Sequence, residues 1–442
     1  MSLTTFRNHW EHPTGILSVL LLVRGDVIQK ALAQLAGGPY YITPVAFSFG
    51  WVSYAVTTLL SALGEGKLMP DVDCSSIAVN AREASRRTNG SWVLGRLLRD
   101  WEMRAEYGYK DAALVVTVFQ FVGNDQHQRC LLARSRGSDV ERNRRRGSEQ
   151  RKRQQGVPTL DRIWFAGFGV ILTQCVIAVI AMCTTGSWLT LTVTVGGTIL
   201  ALAGGALPQW RHEKWNCRKS DPAGEHGTKS AKTVVLTRGN GHRHVIIIVD
   251  SDRLGIDLED LAAGRVDRSQ STLPAVLILA ILWVGLLLLA GNSTDNSWFL
   301  VAIGSLGMAQ NVVTAAYPRH AGALGIHLGR PDFILPDPPS KDHEGKEKCN
   351  KVFQVIKKTE RRMYEAYGTP RVGMSLLSIF FPAGLRPHEV QWQEEQEQKY
   401  KEADQGNTTA DENKAAIAML DDFPTNLTTS KRHLKDERRR SS

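Results

Sequence analysis

IWFAGFGVILTQCVIAVIAMCTTGSWLTLTVTVGGTILALAGGALPQW, residues 163–210, contains no Asp, Glu, Lys or Arg and is bracketed by Arg162 and Arg211. The hydrocarbon core of a bilayer requires about 20 apolar residues per helix, so this stretch is long enough for two helices. The sequence CTTGSW at 183–188 interrupts it near its middle. The pattern therefore predicts a transmembrane helical hairpin over residues 163–207.

Other uncharged blocks lie on both sides of this hairpin. Residues 40–63 form an apolar block that predicts one span, and residues 273–317 predict a second hairpin around a polar turn at 291–297. Counting about 20 residues per crossing, the sequence predicts a mainly α, polytopic transmembrane helix bundle of about five spans. A small cytoplasmic α+β module and a disordered C-terminal tail complete the predicted fold.

Whole-chain averages hide this pattern. The 442 residues have a net charge of +10, a pI near 9.3 and a mean hydropathy of −0.20, values that a soluble protein could share. Long uncharged blocks alternate with densely charged ones, which a soluble chain of this length rarely shows. The cysteines include no CxxC pair, so neither a disulfide framework nor a zinc site is predicted. They are Cys74, Cys130, Cys175, Cys183, Cys217 and Cys349.

The predicted module combines strands and short helices from two loops. Lys232–Thr237 and His244–Val249 flank RGNGH at 238–242, and glycine and asparagine tolerate the positive φ of a hairpin turn. The apolar, β-branched segment 112–122 is too short to cross a bilayer and can add a third strand. Two helices are expected nearby, an amphipathic one at 91–101 and a short one at 258–263.

The remaining segments are assigned by charge and apolar spacing. Residues 1–39 are expected to form an amphipathic, interfacial segment, with a cleaved signal or a sixth crossing at 15–35 as alternatives. The predicted boundaries are 40–63 (span), 64–162 (basic cytoplasmic loop), 163–207 (hairpin), 208–272 (β-hairpin module), 273–317 (hairpin), 318–388 (cytoplasmic amphipathic region) and 389–442 (charged, largely disordered tail).

Positive charge predicts the orientation. The turns at 184–187 and 291–297 hold no Lys or Arg, whereas the opposite helix ends carry several. Basic flanks stay in the cytoplasm, so the two large loops and the tail are predicted to be cytoplasmic. Five spans then place the N-terminus outside, against which Arg7, Arg24 and Lys30 argue. The protein is thus expected in a plasma membrane or endomembrane.

Two clusters of candidate interaction residues stand out. Gly197, Ala201 and Gly205 recur every four residues and predict a helix-packing stripe, within the bundle or between protomers. A basic cluster next to the membrane predicts contact with anionic lipid, worth about 1 kcal/mol per charge. Without interleaved aromatic residues it does not predict nucleic-acid binding; a protein partner or second copy is the alternative. The cluster comprises Arg142, Arg144, Arg145, Arg146, Arg151, Lys152 and Arg153.

The predicted spans contain no ionisable carboxylate or amine, which argues against an ion-coupled carrier. Gln174, Gln310 and Asn311 are polar residues within them, and they could join helices or line a site. On either interpretation, leucine at 310 and 311 is expected to permit folding. His242 and His244 lack further ligands at metal-binding spacing, and no catalytic motif is present. No cofactor, metal or catalytic residue is therefore predicted.

Several blocks resemble uncharacterised multi-pass integral membrane proteins of filamentous fungi. They are GDVIQKALAQL (25–35), TPVAFSFGW (43–51), SWVLGRLLRD (91–100), TRGNG (237–241) and FFPAGLR (380–386). The resemblance implies a membrane location and no activity. The sequence favours a non-enzymatic scaffold or interaction protein; the alternative is a membrane-embedded enzyme or passive carrier for an apolar or lipid-like substrate.

Overall fold

The chain divides into two compact units, Met1–Phe380 and Phe381–Ser442. The computed structural model describes residues 25–83, 85–105, 112–121, 155–218, 232–250, 256–266, 269–291, 297–336 and 352–402. In the second unit, the described residues form one helix over 387–402, as the sequence predicts for the start of the tail. Residues 1–24 and most of the predicted tail lie outside the described part.

The first unit contains helices and strands in mixed order. Its helices are α1 (Asp26–Leu35), α2 (Gly50–Gly64), α3 (Trp92–Ala105), α4 (Arg162–Thr185), α5 (Leu189–Gly205), α6 (Pro208–Lys214), α7 (Leu258–Ala262), α8 (Thr272–Gly291), α9 (Ser297–Ala316), α10 (Ala321–Leu324), α11 (Val352–Tyr367) and α12 (Val372–Phe380). Its strands are β1 (Ile77–Asn80), β2 (Ser85–Thr88), β3 (Val115–Gln120), β4 (Lys232–Thr237), β5 (His244–Asp250) and β6 (Asp332–Ile334).

Four helical segments in the described part are long and apolar enough to cross a membrane: α4, α5 with its continuation into α6, α8 and α9. They form the two predicted hairpins, α4–α5 and α8–α9. Large apolar side chains cover their outer surfaces; Leu172, Ile281 and Leu288 are each more than 60% exposed. An apolar surface of this extent suits contact with lipid better than contact with water.

The predicted span at 40–63 takes a different form. Residues 42–48 are not helical, and the following α2 has only 15 residues, about 22 Å of helix. Both ends of this segment meet α6: Arg211 donates to the Tyr41 hydroxyl at 3.4 Å, and Gln209 donates to the Gly66 carbonyl at 2.7 Å. The chain therefore enters the bundle and returns to the same side. We call residues 41–66 the re-entrant segment.

The strands form one sheet in the order β2-β1-β4-β5-β3-β6. The predicted hairpin is β4–β5, and the predicted third strand, β3, joins it in parallel with Val115 opposite His244. The other neighbouring strands are antiparallel. The prediction that both loops share one module is confirmed. Strand β6, which follows the last membrane helix, extends the sheet next to β3.

Every residue of β5 is buried, so both faces of this central strand are covered. The two helices predicted within the module are also present. The amphipathic one is α3, which extends past the predicted 91–101 to Ala105. Asp257 caps α7 by accepting from the amides of Glu259 and Asp260.

Candidate functional site

The non-helical part of the re-entrant segment is bound by amide side chains of α9. The side-chain oxygen of Gln310 accepts from the Ala46 amide at 3.1 Å. Asn311 donates from its side-chain nitrogen to the Ala46 carbonyl at 3.2 Å and to the Ser48 hydroxyl at 3.1 Å. An unpaired backbone amide or carbonyl in hydrocarbon costs several kcal/mol, so irregular backbone is tolerated there only where protein groups bind it.

Helix α4 binds the same backbone from another direction. Gln174 donates to the Phe47 carbonyl at 2.8 Å and, from the same nitrogen, to the Ile303 carbonyl of α9 at 2.8 Å. All three amides are buried. Gln174, Gln310 and Asn311, here called the amide clamp, therefore join α4 and α9 through the re-entrant segment. Of the two interpretations open from the sequence, joining helices describes the bond from Gln174 to Ile303, whereas the bonds of Gln310 and Asn311 hold non-helical backbone.

Aromatic stacking fixes the turn between the non-helical part and α2. Trp283 of α8 stacks on Trp51 at 5.5 Å and on Phe47 at 6.1 Å between ring centroids. The indole nitrogen of Trp51 donates to the Ala46 carbonyl at 3.0 Å. The turn is thus held by α8 as well as by the amide clamp.

The predicted small-residue stripe of α5 lies against the re-entrant segment. A Cβ atom on Gly197 would overlap the Phe47 ring, and one on Gly205 would lie 2.8 Å from the Cβ of Thr43. The Thr43 hydroxyl donates to the Gly205 carbonyl at 2.9 Å, and Ala201 between them is fully buried. In this chain the stripe therefore gives room to residues 43–47 rather than to another long helix.

A cluster of buried ions lies where the bundle meets the module. Arg96 of α3 pairs with Asp73 at 2.9 Å and with Asp100 at 3.1 Å. Arg319, which follows α9, pairs with Asp161 at 2.7 Å, and its amide donates to Asp100 at 2.9 Å. Burial lowers the pKa of Arg96 and raises the pKa of Asp100, and each charge opposes the shift of the other. We call these five residues the buried ion layer.

The same region caps the ends of two helices. Arg96 donates to the Tyr317 carbonyl at 3.1 Å, and Arg99 donates to the Ala316 carbonyl at 2.8 Å, at the C-terminal end of α9. Lys214 donates to two carbonyls at the end of α1, at 2.9 and 2.8 Å. Cations suit the negative end of a helix dipole. Module and bundle are thereby joined by ionic and capping contacts.

A pocket of about 320 Å³ lies next to the buried ion layer. Its walls come from α3, β3, β5, Thr159 before α4, and the segment after α9. We call it the Arg104 pocket. It is lined by Leu97, Trp101, Arg104, Phe119, Thr159, Ile246, His320, Ala321, Gly322, His327, Leu328, Gly329 and Pro331.

Arg104 is the cationic group of this pocket. Its Nε donates to the Asp100 carbonyl at 2.9 Å, its Nη1 lies 2.6 Å from Nδ1 of His320, and its guanidinium stacks over Trp101 at 5.7 Å. Burial lowers the pKa of Arg104, and the charge of Asp100 opposes this. Among the described residues, no carboxylate lines the pocket and none forms an ion pair with Arg104.

Sequence reasoning did not single out the buried ion layer or the Arg104 pocket. Arg96 and Asp100 lie four residues apart on an amphipathic helix, and that spacing was the available signal. The predicted lipid-contact residues, Arg142 to Arg153, lie outside the described part of the chain. Of the paired histidines, His244 is buried in β5 and His242 lies in the hairpin turn, and the described residues contain no cluster of three metal-ligating side chains.

No protein-family model matches this chain, and neither a curated protein nor a solved structure shows significant similarity to it. Similarity to known proteins therefore suggests no activity. The functional argument depends on the geometry of the amide clamp, the buried ion layer and the Arg104 pocket.

Proposed function

We propose that the protein is a non-enzymatic, multi-pass membrane scaffold that holds its α+β module at one membrane face for binding a partner or anionic lipid. The observation that carries this proposal is the use of the polar groups inside the bundle. Gln174, Gln310 and Asn311 all bind backbone atoms of the chain itself. An enzyme or carrier acting within the bundle would need such groups to face a substrate cavity.

The buried ion layer supports a fixed rather than a tethered module. Side chains of α3, which packs on the sheet, bind the C-terminal end of α9 and the Arg319 amide that follows it. Removing one partner of a buried pair costs about 3–5 kcal/mol, so the charges resist separation of the two parts. A module held in this way stays at a constant distance from the lipid.

The re-entrant segment also bears on orientation. With four crossings instead of five, α1 and the residues after α9 belong to the same side of the membrane. Arg162, Arg211 and Arg319 lie at that end of the long helices, so the positive-inside rule makes this side cytoplasmic. The proposed topology removes the conflict between an external N-terminus and the basic residues Arg24 and Lys30.

Single-cysteine labelling in a cysteine-free background tests this arrangement. Arg87→Cys on β2 and Thr184→Cys at the α4–α5 turn place thiols at exposed positions. In sealed vesicles, a membrane-impermeant maleimide should label these two positions from opposite sides. Labelling of both from one side would contradict the proposed architecture.

Lipid binding is tested on the basic cluster. The test variant has glutamine at Arg142, Arg144–Arg146 and Arg151–Arg153. It should copurify with less phosphatidylserine, because each surface cation contributes about 1 kcal/mol to lipid binding. The matched control is Arg361→Gln, which removes an exposed charge on α11. Unchanged phosphatidylserine in the first variant would overturn the lipid role.

A further inference from the structure

We propose that the Arg104 pocket is a binding site for a small organic anion, an oxyanion such as a phosphate or carboxylate attached to a flat apolar group. The scaffold role does not require this site, and neither proposal depends on the other. Three features support such a site: the charge at one end of the pocket, the rings of its wall, and its position between bundle and module.

Arg104 differs from the neighbouring arginines in the partners of its guanidinium group. Arg96 and Arg319 each pair with carboxylates at 2.9 Å or less. Arg104 has two hydrogen bonds among the described residues, one to a carbonyl and one to a ring nitrogen of His320. A guanidinium has five N–H donors in a planar fork that matches phosphate and carboxylate, so donors remain for a ligand. Within the described part of the chain, this half-buried charge has no ion-pair partner.

The wall of the pocket favours an apolar ligand portion. Trp101 packs edge-to-face on Phe119 with ring centroids 4.9 Å apart, and its indole nitrogen donates to the Thr117 hydroxyl at 3.3 Å. These contacts fix the indole ring before a ligand arrives. Leu97, Ile246 and Leu328 extend the same apolar surface. A few polar groups in a mostly apolar cavity are the usual composition of a small-molecule site.

The position of the pocket links it to both parts of the protein. Its volume of about 320 Å³ is within the range of small-molecule sites. His320 follows α9 and Thr159 precedes α4, while Phe119 and Ile246 belong to the sheet. A ligand there contacts the ends of membrane helices and the module together. The same oxyanion chemistry could come from a soluble metabolite or from a lipid headgroup.

The first test uses 1-naphthyl phosphate, with 1-naphthol as its uncharged counterpart, and full-length protein in phosphatidylcholine nanodiscs. Calorimetry should show binding of the phosphate, and Arg104→Met should weaken it by about tenfold or more, since charge-assisted hydrogen bonds are roughly twice as strong as neutral ones. Naphthol should bind weakly to both proteins. Arg361→Met, at an exposed arginine outside the pocket, is the matched control and should bind normally.

A second variant distinguishes loss of the binding site from misfolding of Arg104→Met. A Cβ on Gly322 would meet only His327 and Thr159, each at 3.5 Å, so Gly322→Leu can fill the cavity while leaving Arg104 in place. It should abolish binding of the phosphate without lowering the melting temperature. Binding that survives both substitutions would overturn the proposal.

A third arm separates the two ligand sources. Nanodiscs containing phosphatidic acid should compete with 1-naphthyl phosphate if a lipid headgroup occupies the pocket, and should leave its affinity unchanged if the ligand is soluble. In the first case, Gly322→Leu must also prevent the binding of phosphatidic acid. If the wild-type protein binds neither 1-naphthyl phosphate nor phosphatidic acid in an Arg104-dependent way, the site does not exist.

Discussion

The amide clamp and the buried ion layer solve the same problem with different chemistry. Each joins distant parts of the chain through side-chain donors to backbone carbonyl oxygens. Inside the bundle the donors are neutral: Gln174 and Asn311 bind the carbonyls of Phe47 and Ala46. At the boundary with the module they are cations, as when Arg99 binds the Ala316 carbonyl.

The difference follows from the cost of burying charge. Burying an ion in a hydrocarbon environment costs more free energy than burying an uncharged amide, so an amide is the more favourable donor at that depth. At the boundary, Asp73, Asp100 and Asp161 neutralise the arginines, and the cations gain from the C-terminal ends of helices. The comparison predicts that the two regions respond differently to loss of charge, of space and of hydrogen bonds.

The largest effect is expected from Asp100→Ala in the buried ion layer. Its removal leaves Arg96 buried beside one carboxylate fewer and takes the acceptor from the Arg319 amide, so the free energy of unfolding should fall by about 3–5 kcal/mol. Thermal and denaturant unfolding in detergent would measure this. The control Asp71→Ala removes an exposed partner of Lys67 and should cost less than about 1 kcal/mol. Equal losses would refute the ranking.

Gly307→Ala tests the space beside the re-entrant segment. A Cβ at Gly307 would overlap the Phe47 carbonyl oxygen, which Gln174 binds. We expect a loss near 3 kcal/mol, the upper end of about 1–3 kcal/mol for overpacking, and less monodisperse protein on gel filtration. Gly285→Ala, where nothing lies within 4 Å of the added atom, is the matched control. A stable Gly307→Ala protein would show that the segment does not pass there.

Gln310→Leu tests the amide clamp itself. The sequence predicts that this change is tolerated. In the structure, however, it leaves the buried Ala46 amide without its acceptor. We therefore expect the free energy of unfolding to fall by about 2 kcal/mol, within the usual range of about 1–3 kcal/mol. Gln310→Glu should cost more than Gln310→Leu, because it buries a charge inside the apolar bundle. Unfolding midpoints of the two variants decide between these views: if glutamate were the milder change, the neutral-donor argument would fail.

The smallest effect concerns a partly exposed cluster in the module. Lys232 lies 2.7 Å from Asp257 and 3.1 Å from Glu259. Burial alone raises the pKa of Asp257, but hydrogen bonds from Lys232 and from backbone amides outweigh it and the net pKa is lowered. For Lys232, burial lowers the pKa and the two carboxylates outweigh it, so the net pKa is raised.

The sign of the pH dependence follows. Stabilisation by Asp257 is present above the ordinary aspartate pKa of about 3.9 and is lost as the pH falls toward the lowered folded value. Lys232→Met should therefore reduce stability by about 1 kcal/mol at neutral pH and by progressively less below pH 4. Unfolding curves across this acidic range would check it. A difference that stays constant down to the lowest pH would assign the effect to packing.

The sequence predicted the module better than the bundle interior. Short apolar, β-branched runs and the RGNGH turn located β4 and β5 to within one residue, because a hairpin is set by local turn chemistry. The span at 40–63 was assigned from the same absence of charge that identified the true long helices. Its composition is that of a crossing, and its backbone conformation depends on side chains more than 100 residues away, such as Gln174.

The candidate sites divide in the same way. Gln310 and Asn311 were recognised as unusual from the sequence because polar residues are rare in apolar blocks, but their partners could not be named. Arg104 gave no signal, since one arginine among many on a basic loop is ordinary. It becomes notable only when folding brings β3, β5 and His320 around it, with no carboxylate among the described residues that line the pocket.

By itself the sequence determined where charge is excluded, and thus which segments are apolar and long enough for a membrane, because the energy of burying charge is a local property of composition. It also determined the strands and helix caps that depend on neighbouring residues. Only the tertiary structure decided that residues 41–66 return to the side from which they enter, and that Arg104 lines a pocket. Those features depend on hydrogen bonds and charges between residues far apart in the chain, whose pairing no local pattern records.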